Sequence, residues 1–276
     1  MGLLKNRIQI LFSLVFLVYV GWWISFQHVV AKGTLSNEWW GDTYGAVAFI
    51  GAIFGLVVFR KWGGFKSTLG KALAFFSLGL LAQEAGQLIY SYYIVVDKIQ
   101  IPYPSLGDVA YFGSTLLYIS GAIFLARAAG VSISLKNLGY KIIAVGLPLV
   151  LLVVSFLILL HNHHYNTSKP ITVFLDAGYP IGEALYISIA LVAYFLSRKL
   201  LGGVLKAGIL FVMFALVVQY ISDFTFVYQS NRNTWVPGSY DDLFYLIAYY
   251  VMGLAMLNFY VIYKKLKNTK GSEAAQ

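Results

Sequence analysis

The chain has 276 residues, of which 59% are hydrophobic and 11% are charged, and its mean hydropathy is +0.74. Soluble domains carry about 25% charged residues, so a chain this apolar is expected to lie in a lipid bilayer rather than in water. The lack of cysteine excludes disulfides, thiolate metal sites and cysteine nucleophiles, and the net charge of +9 indicates a basic face beside anionic lipid rather than nucleic-acid binding.

Eight apolar segments have about the 20 residues that a helix needs to cross a bilayer. Backbone groups in lipid must bond internally, so each segment is predicted to be a helix. Within the second segment, the spacing of Gly51 and Gly55 predicts a close contact with another helix. The predicted spans, numbered 1 to 8, cover residues 8–27, 43–60, 70–95, 106–127, 141–160, 176–197, 205–228 and 241–263.

The lysines and arginines predict the orientation of the spans. With the N-terminus in the cytoplasm, only Lys32, Lys98, Lys169 and Arg232 of the 20 basic residues fall in outer loops. The others flank the inner ends, as the positive-inside rule requires. Both termini are therefore predicted to be cytoplasmic, with residues 264–276 as a short basic tail of a multi-pass plasma-membrane protein.

An internal repeat relates the two halves of the chain. Ser105, Asp108 and Tyr111 recur as Ser239, Asp242 and Tyr245, at an offset near 134 residues. At this offset, spans 1 to 4 of residues 1–134 correspond to spans 5 to 8 of residues 135–276. Since each unit has four spans, both halves share one orientation. The predicted fold is all-α: a polytopic integral membrane protein of two parallel four-helix repeats.

Polar helix starts are a second recurring feature. The segments Ser105-x-x-Asp108 and Ser239-x-x-Asp242 fit a capping box, and each Asp is followed three residues later by a tyrosine. The same acid-x-x-Tyr spacing joins Glu183 to Tyr186, just after Pro180, near the predicted outer start of span 6. Two interpretations stay open: helix caps with interface tyrosines, or a rim of acid and tyrosine pairs around an outward-facing vestibule.

Polar side chains also fall inside spans 3 and 7. A charged group at the centre of a bilayer costs about 2.5–3.5 kcal/mol, and no lysine or arginine lies inside a span to pair with Glu84 or Asp223. Either a hydrogen-bond network joins the helices, or a ligand, ion or proton binds between the repeats. The candidate ligand-binding residues are Gln83, Glu84, Gln87, Tyr90, Asp108, Tyr111, Glu183, Tyr186, Gln219, Ser222, Asp223, Asp242 and Tyr245.

The histidines all fall on the predicted outer side. With Asp42 and Asp176 nearby, they would suit zinc or copper, but histidines in a polar loop are typically solvated. No phosphate loop, nucleophile elbow or zincin motif is present, so we expect no metal, no cofactor and no enzymatic activity. The four histidines are His28, His161, His163 and His164.

Two stretches resemble a known but functionally uncharacterised membrane module. LAQEAGQLIY at 81–90 and PYPSLGDVAYF at 102–112 are similar to the polytopic module that often precedes diguanylate cyclase (GGDEF) and phosphodiesterase (EAL) domains in bacterial signalling proteins. The second half resembles it through LDAGYPIGE at 175–183, Ser222-Asp-Phe and Ser239-Tyr-Asp-Asp. The resemblance implies a membrane sensory module with Asp108, Glu183, Asp223 and Asp242 as its matched acids.

The chain departs from that family at two motif positions and in its domain content. Gln87 stands where the family has the aspartate of Gly-Asp-x-x-Tyr, and Gly107 stands where it has alanine. No output domain follows residue 263, so a cytoplasmic or membrane signalling partner is expected beside membrane lipid and a small-molecule or ion ligand. The first hypothesis is a non-enzymatic sensor with an outward-facing pocket between the repeats; the alternative is a secondary transporter or proton-coupled permease.

Overall fold

The computed structural model describes residues 7–29, 35–99, 101–129, 138–155, 157, 170–197, 204–231 and 234–273. All regular secondary structure in these ranges is helical. A single 3-10 turn at Gly64–Lys66 precedes α4. The helices are α1 (Arg7–Val29), α2 (Leu35–Thr43), α3 (Ala46–Lys61), α4 (Thr68–Val95), α5 (Leu106–Ala128), α6 (Leu138–Ser155), α7 (Pro170–Ser197), α8 (Lys206–Asn231) and α9 (Tyr240–Glu273).

Among the described residues, seven helical segments are long and apolar enough to cross a membrane, which supports the prediction of a multi-pass membrane protein. Six of them are formed by one helix each, and α2 and α3 together form the seventh. Predicted span 5 corresponds to α6, while residues 156 and 158–160 lie outside the described part of the chain. The seven segments are Arg7–Gln27, Ser36–Lys61, Thr68–Val95, Leu106–Ala128, Pro170–Tyr194, Lys206–Phe226 and Tyr240–Thr269.

The boundaries of two predicted spans were wrong. α7 begins at Pro170, six residues before the predicted start, so Pro180 lies inside the helix and the segment 180–186 is not a helix start. Proline suits the first turn of a helix because a backbone N–H at that position would have no partner within the helix, so its absence costs nothing. α9 continues through the predicted tail to Glu273, where lysines favour the helix and interact with the negative end of its dipole.

Six helices form a closed ring of neighbours. Going around it, α3 packs against α4, α4 against α5, α5 against α7, α7 against α8, α8 against α9, and α9 against α3. α1 lies outside this ring against α2 and α9, and α6 lies outside it against α7. Antiparallel packing of α4 with α5, and of α8 with α9, brings the starts of α5 and α9 near the ends of their partners. We call this end of the bundle the acidic end.

Glycines allow α3 and α9 to approach each other closely. A Cβ atom added at Gly51 would lie 3.2 Å from the Cα of Gly253, and one at Gly55 would collide with the Ser77 hydroxyl. Gly55 also faces Met256 of α9. The close helix contact that the Gly51-x-x-x-Gly55 spacing predicts is confirmed, because the four-residue spacing places both glycines on one face of α3.

Replacing Gly51 with leucine is expected to destabilise the bundle by about 1–3 kcal/mol, the usual cost of overpacking a filled interior. Gly113 of α5 has no atom within 4 Å of an added Cβ, so Gly113→Leu is the matched control. The melting temperature of each variant in detergent measures the effect. Equal melting temperatures for G51L and G113L would contradict the close contact.

Candidate functional site

The start of α5 is a complete capping box, as predicted. The backbone N–H of Ser105 donates to Asp108 Oδ2 at 2.7 Å, and the N–H of Gly107 donates to the Ser105 hydroxyl at 3.1 Å. The other carboxylate oxygen, Oδ1, lies 3.3 Å from the Tyr90 hydroxyl and 3.4 Å from that of Tyr179. Asp108 is therefore a buried cap with donors on both oxygens, at the positive end of the helix dipole.

The start of α9 repeats only half of this arrangement. The backbone N–H of Gly238 donates to Asp242 Oδ2 at 2.7 Å, but the Ser239 hydroxyl donates back to the carbonyl of Val236 at 2.7 Å. The φ angle of Gly238 is +78°, a conformation that glycine adopts without steric cost. This turn directs the serine hydroxyl away from the helix, so the predicted Ser239 cap is replaced by a local turn.

Gln87 of α4 lies at the centre of a buried polar contact among several helices. Its Oε1 atom accepts from the Tyr111 hydroxyl at 3.0 Å and lies 3.3 Å from that of Tyr44. The Tyr44 hydroxyl also lies 3.2 Å from Asp242 Oδ1, so it can donate to either acceptor. The Gln87 side-chain amide donates to the carbonyl of Gly41 at 2.7 Å. The contact thus joins the α2–α3 turn to α4, α5 and α9.

Two further polar groups of α4 lie beside this contact. The side-chain amide of Gln83 donates to the Ser114 hydroxyl at 2.7 Å, and its oxygen accepts from the Tyr249 hydroxyl at 3.0 Å. Glu84 lies against Gly45, where an added Cβ would collide with Glu84 Oε2. That oxygen is buried without a hydrogen-bond partner. Gln83 is therefore hydrogen-bonded at both its nitrogen and its oxygen, whereas Glu84 keeps an acceptor that no side chain satisfies.

A second buried contact joins α7, α8 and α9. Asp223 Oδ1 accepts from the Tyr245 hydroxyl at 2.6 Å, and Oδ2 accepts from the Gln219 amide at 3.2 Å. The carboxyl group of Glu183 is in hydrogen-bond contact with that of Asp223. Glu183 Oε1 and the Tyr186 hydroxyl are buried without partners. This cluster therefore combines two touching carboxyl groups with unused polar atoms.

Asp241 forms a separate link between α8 and α9. The Ser222 hydroxyl donates to the backbone carbonyl of Asp241 at 2.6 Å, and the Trp235 indole N–H donates to its Oδ2 at 3.0 Å. Asp241 is completely buried and its Oδ1 has no hydrogen-bond partner. Ser222 therefore acts as a helix-joining hydroxyl, the network interpretation that the sequence left open for it.

At the edge of the bundle, Tyr103 joins the α4–α5 loop to α7. Its hydroxyl donates to Asp176 Oδ1 at 2.7 Å. Partial burial and then the Asp176 carboxylate raise the pKa of Tyr103 above its ordinary value, so the hydroxyl stays protonated at neutral pH. Asp176 thus accepts a hydrogen bond that joins the α4–α5 loop to α7.

The basic side chains of the inner helix ends are far from these acids. Lys71 precedes Glu84 by 13 residues in α4, which corresponds to about 20 Å at 1.5 Å per residue. Arg127 follows Asp108 by 19 residues in α5, or about 28 Å. Lysine and arginine at those helix ends therefore cannot neutralise the carboxylates, which depend on hydroxyl, amide and backbone donors.

The acidic end also contains a cavity of about 240 Å³. It lies between the end of α1, the start of α2, the end of α8 and the loop that enters α9. One of its side chains, Gln229, has a buried oxygen without a hydrogen-bond partner. The residues around it are Gln27, Asn37, Gln229, Thr234, Val236, Pro237, Gly238, Ser239 and Tyr240.

Sequence reasoning found most of the polar side chains and four of the tyrosines between them, but it missed Tyr44, Tyr179 and Tyr249. Tyr249 follows Tyr245 by four residues and Tyr179 precedes Glu183 by four, so helical spacing could have found both. Tyr44 lies in the α2–α3 turn, and no helical spacing relates it to Gln87. Among the described residues, no group of three or more His, Cys, Asp or Glu could hold a metal. His161, His163 and His164, and the side chain of His28, lie outside the described residues.

Comparison with known proteins identifies no relative of this chain. No protein-family model matches the chain, and no curated protein and no solved structure matches it.

Replacing Tyr44 with phenylalanine is expected to lower the free energy of unfolding by about 1–3 kcal/mol, because buried Asp242 and Gln87 then lose a donor. Tyr92 is exposed on α4, so Tyr92→Phe is the control. Melting temperatures in the same detergent compare the variants. A Y44F protein as stable as Y92F would show that the Tyr44 hydroxyl contributes nothing to the bundle.

Proposed function

We propose that this protein is a non-enzymatic sensor of the plasma membrane that binds a small ligand at the acidic end of the bundle. In the proposed orientation the acidic end faces outside, and both termini lie in the cytoplasm. The charge distribution supports this orientation, since the helix ends opposite the acidic end carry residues such as Arg60, Lys71, Arg127 and Lys264.

The contact around Gln87 carries the proposal. It joins four segments of the bundle through side-chain hydrogen bonds to Tyr44, Tyr111 and, through Tyr44, Asp242. A ligand that exchanged any of these bonds for its own would change how α3, α4, α5 and α9 are held together. Binding and helix arrangement would then be linked, as a membrane sensor requires.

The unused acceptors indicate the chemistry of the ligand. Glu84 Oε2, Glu183 Oε1 and Asp241 Oδ1 are buried oxygen atoms without donors. An unsatisfied buried acceptor costs free energy, which a ligand carrying N–H groups or a positive charge would recover. Tyrosine rings next to the carboxyl groups also favour a cation. The proposed ligand is therefore a small organic cation or a hydrogen-bond donor.

The order of helix neighbours supports two repeats, residues 1–134 and 135–276. The pairs α3–α4, α4–α5 and α5–α7 correspond to α7–α8, α8–α9 and α9–α3 when the first half is matched to the second. The outlying helix α6 packs against α7 as α1 packs against α2, although α1 also packs against α9. We place the ligand pocket between the two repeats.

The resemblance to the membrane module that precedes GGDEF and EAL domains adds a signalling role to the proposal. On that basis, the ligand signal would pass to a protein partner in the cytoplasm or the membrane. The acids matched to that family, Asp108, Glu183, Asp223 and Asp242, all lie in the buried polar contacts described above.

Putrescine and choline are suitable probes for the proposed ligand class. We expect either cation to raise the melting temperature of the protein in nanodiscs, and Glu84→Gln and Asp242→Asn to reduce that shift at least severalfold. The exposed acid Asp97 is the control, and D97N should respond as the unmodified protein does. A shift that is absent, or equal in all four proteins, would refute a cation pocket at these acids.

Proton-coupled transport is the second candidate, favoured by the contact between the Glu183 and Asp223 carboxyl groups. The sensor proposal predicts that proteoliposomes containing the protein show no proton flux above empty liposomes when a probe cation gradient is applied. A pH-sensitive dye inside the vesicles measures the flux. Proton flux that is lost in D223N would establish transport instead.

A further inference from the structure

The contact between the Glu183 and Asp223 carboxyl groups restricts how many of the two can be ionised. Two ionised carboxylates in contact repel each other, and this repulsion is strong where water does not screen it. Glu183 has 3% of its surface exposed, and its neighbour Tyr186 has 1%. One of the two carboxyl groups must therefore carry a proton, or the contact would not hold.

The hydrogen-bond donors around the pair assign that proton. Asp223 accepts hydrogen bonds from the Tyr245 hydroxyl at 2.6 Å and the Gln219 amide at 3.2 Å. Both of its oxygens therefore act as acceptors, as the oxygens of a carboxylate do. Glu183 receives no donor at Oε1, and the nearby Tyr186 hydroxyl is itself without a partner. An ionised Glu183 would carry buried negative charge at an oxygen without a donor, whereas in a neutral Glu183 that oxygen is an uncharged carbonyl, whose burial costs much less.

We propose that Glu183 is a protonated acid whose O–H donates to the Asp223 carboxylate, and that this proton holds α7 against α8 and α9. Glu183 lies on α7, Asp223 on α8 and Tyr245 on α9. One proton therefore completes a chain of side-chain hydrogen bonds that joins three helices. When a base in the solvent removes the proton, two negative charges face each other and the α7–α8 contact is expected to loosen.

Among the described residues, the groups that interact electrostatically with the pair supply no positive charge to replace the proton. They are Tyr118 from α5, Tyr186 and Tyr179 from α7, Gln219 from α8, and Tyr245, Tyr249 and Asp241 from α9. Tyrosines donate hydrogen bonds at neutral pH, and Asp241 is a further acid. The environment therefore favours a single shared proton on the pair over full ionisation.

The proton on Glu183 deepens the proposed function. Only one consequence rests on that function: ligand sensing at the acidic end would respond to pH. The pair belongs to the α7–α8–α9 cluster, whereas the contact around Gln87 belongs to α3, α4, α5 and α9. Protonation of Glu183 can therefore be measured with no ligand present.

Infrared spectroscopy of the full chain in lipid nanodiscs tests the assignment directly. The spectra are recorded in the Glu84→Gln background, because Glu84 also has a buried carboxyl oxygen without a donor. At neutral pH we expect a protonated-carboxyl C=O band that shifts when glutamate is labelled with ¹³C and stays in place when aspartate is labelled. The band should vanish in the E84Q/E183Q protein and persist in the E84Q/D97N control. No glutamate band in E84Q, or a band that shifts only with labelled aspartate, would overturn the assignment.

Thermal unfolding gives a second readout. A Glu183 that keeps its proton in the folded protein contributes full stability only below about pH 4.3, where glutamate in the unfolded chain is also protonated, and this contribution is lost progressively as pH rises to the point where the folded protein releases the proton. The melting temperature of the E84Q protein should therefore fall in alkaline buffer, and that of E84Q/E183Q should fall markedly less. Equal pH dependence in both would overturn the proposal. Failure of putrescine and choline to bind, with the glutamate band present, would refute the cation pocket and leave the proton assignment standing.

Discussion

The structure depends on one constraint: carboxyl groups lie inside an apolar bundle, far from the lysines and arginines at the opposite helix ends. Each acid must then find hydrogen-bond donors or a proton inside the protein. Asp108 uses the backbone of its own helix start together with tyrosine hydroxyls, and Asp242 uses the Gly238 N–H and Tyr44. Asp223 uses Tyr245 and Gln219. The many tyrosines of the ring helices follow from this need, because tyrosine is apolar enough for the interior and still supplies a hydroxyl donor.

The same constraint separates the capping acids Asp108 and Asp242 from Glu84 and Glu183. Asp108 and Asp242 are helix caps as well as tyrosine acceptors, so their positions stabilise the fold whether or not a ligand binds. Glu84 and Glu183 have no capping role, and each keeps a buried oxygen without a donor. Such atoms destabilise a protein unless a proton or a ligand compensates for them. In the proposed function these atoms are the ones that a proton or ligand would satisfy, and the caps around them hold the supporting helices in place.

Close packing at the glycines complements this polar interior. Gly51 and Gly55 let α3 approach α9 and α4, which brings the α2–α3 turn and its Tyr44 within reach of both Gln87 and Asp242. Apolar contact and hydrogen bonding thus stabilise the same arrangement of helices. Neither would be available to a bundle whose helices were kept further apart by larger side chains.

The sequence by itself determined the all-helical membrane class, the approximate spans and the identity of the polar residues, because hydropathy and backbone bonding in lipid leave few alternatives. It also determined the cap at Asp108, which depends only on residues three positions apart. It misplaced the start of α7 and the end of α9, since a proline within a helix and a run of lysines resemble boundaries locally. Only the tertiary structure decided that Ser239 turns away from α9, that Tyr44 reaches Gln87, and that Glu183 touches Asp223. The Tyr44–Gln87 and Glu183–Asp223 contacts join residues 43 and 40 positions apart, and helical periodicity relates side chains only within one helix. The turn at Ser239 is local, but it depends on the positive φ of Gly238.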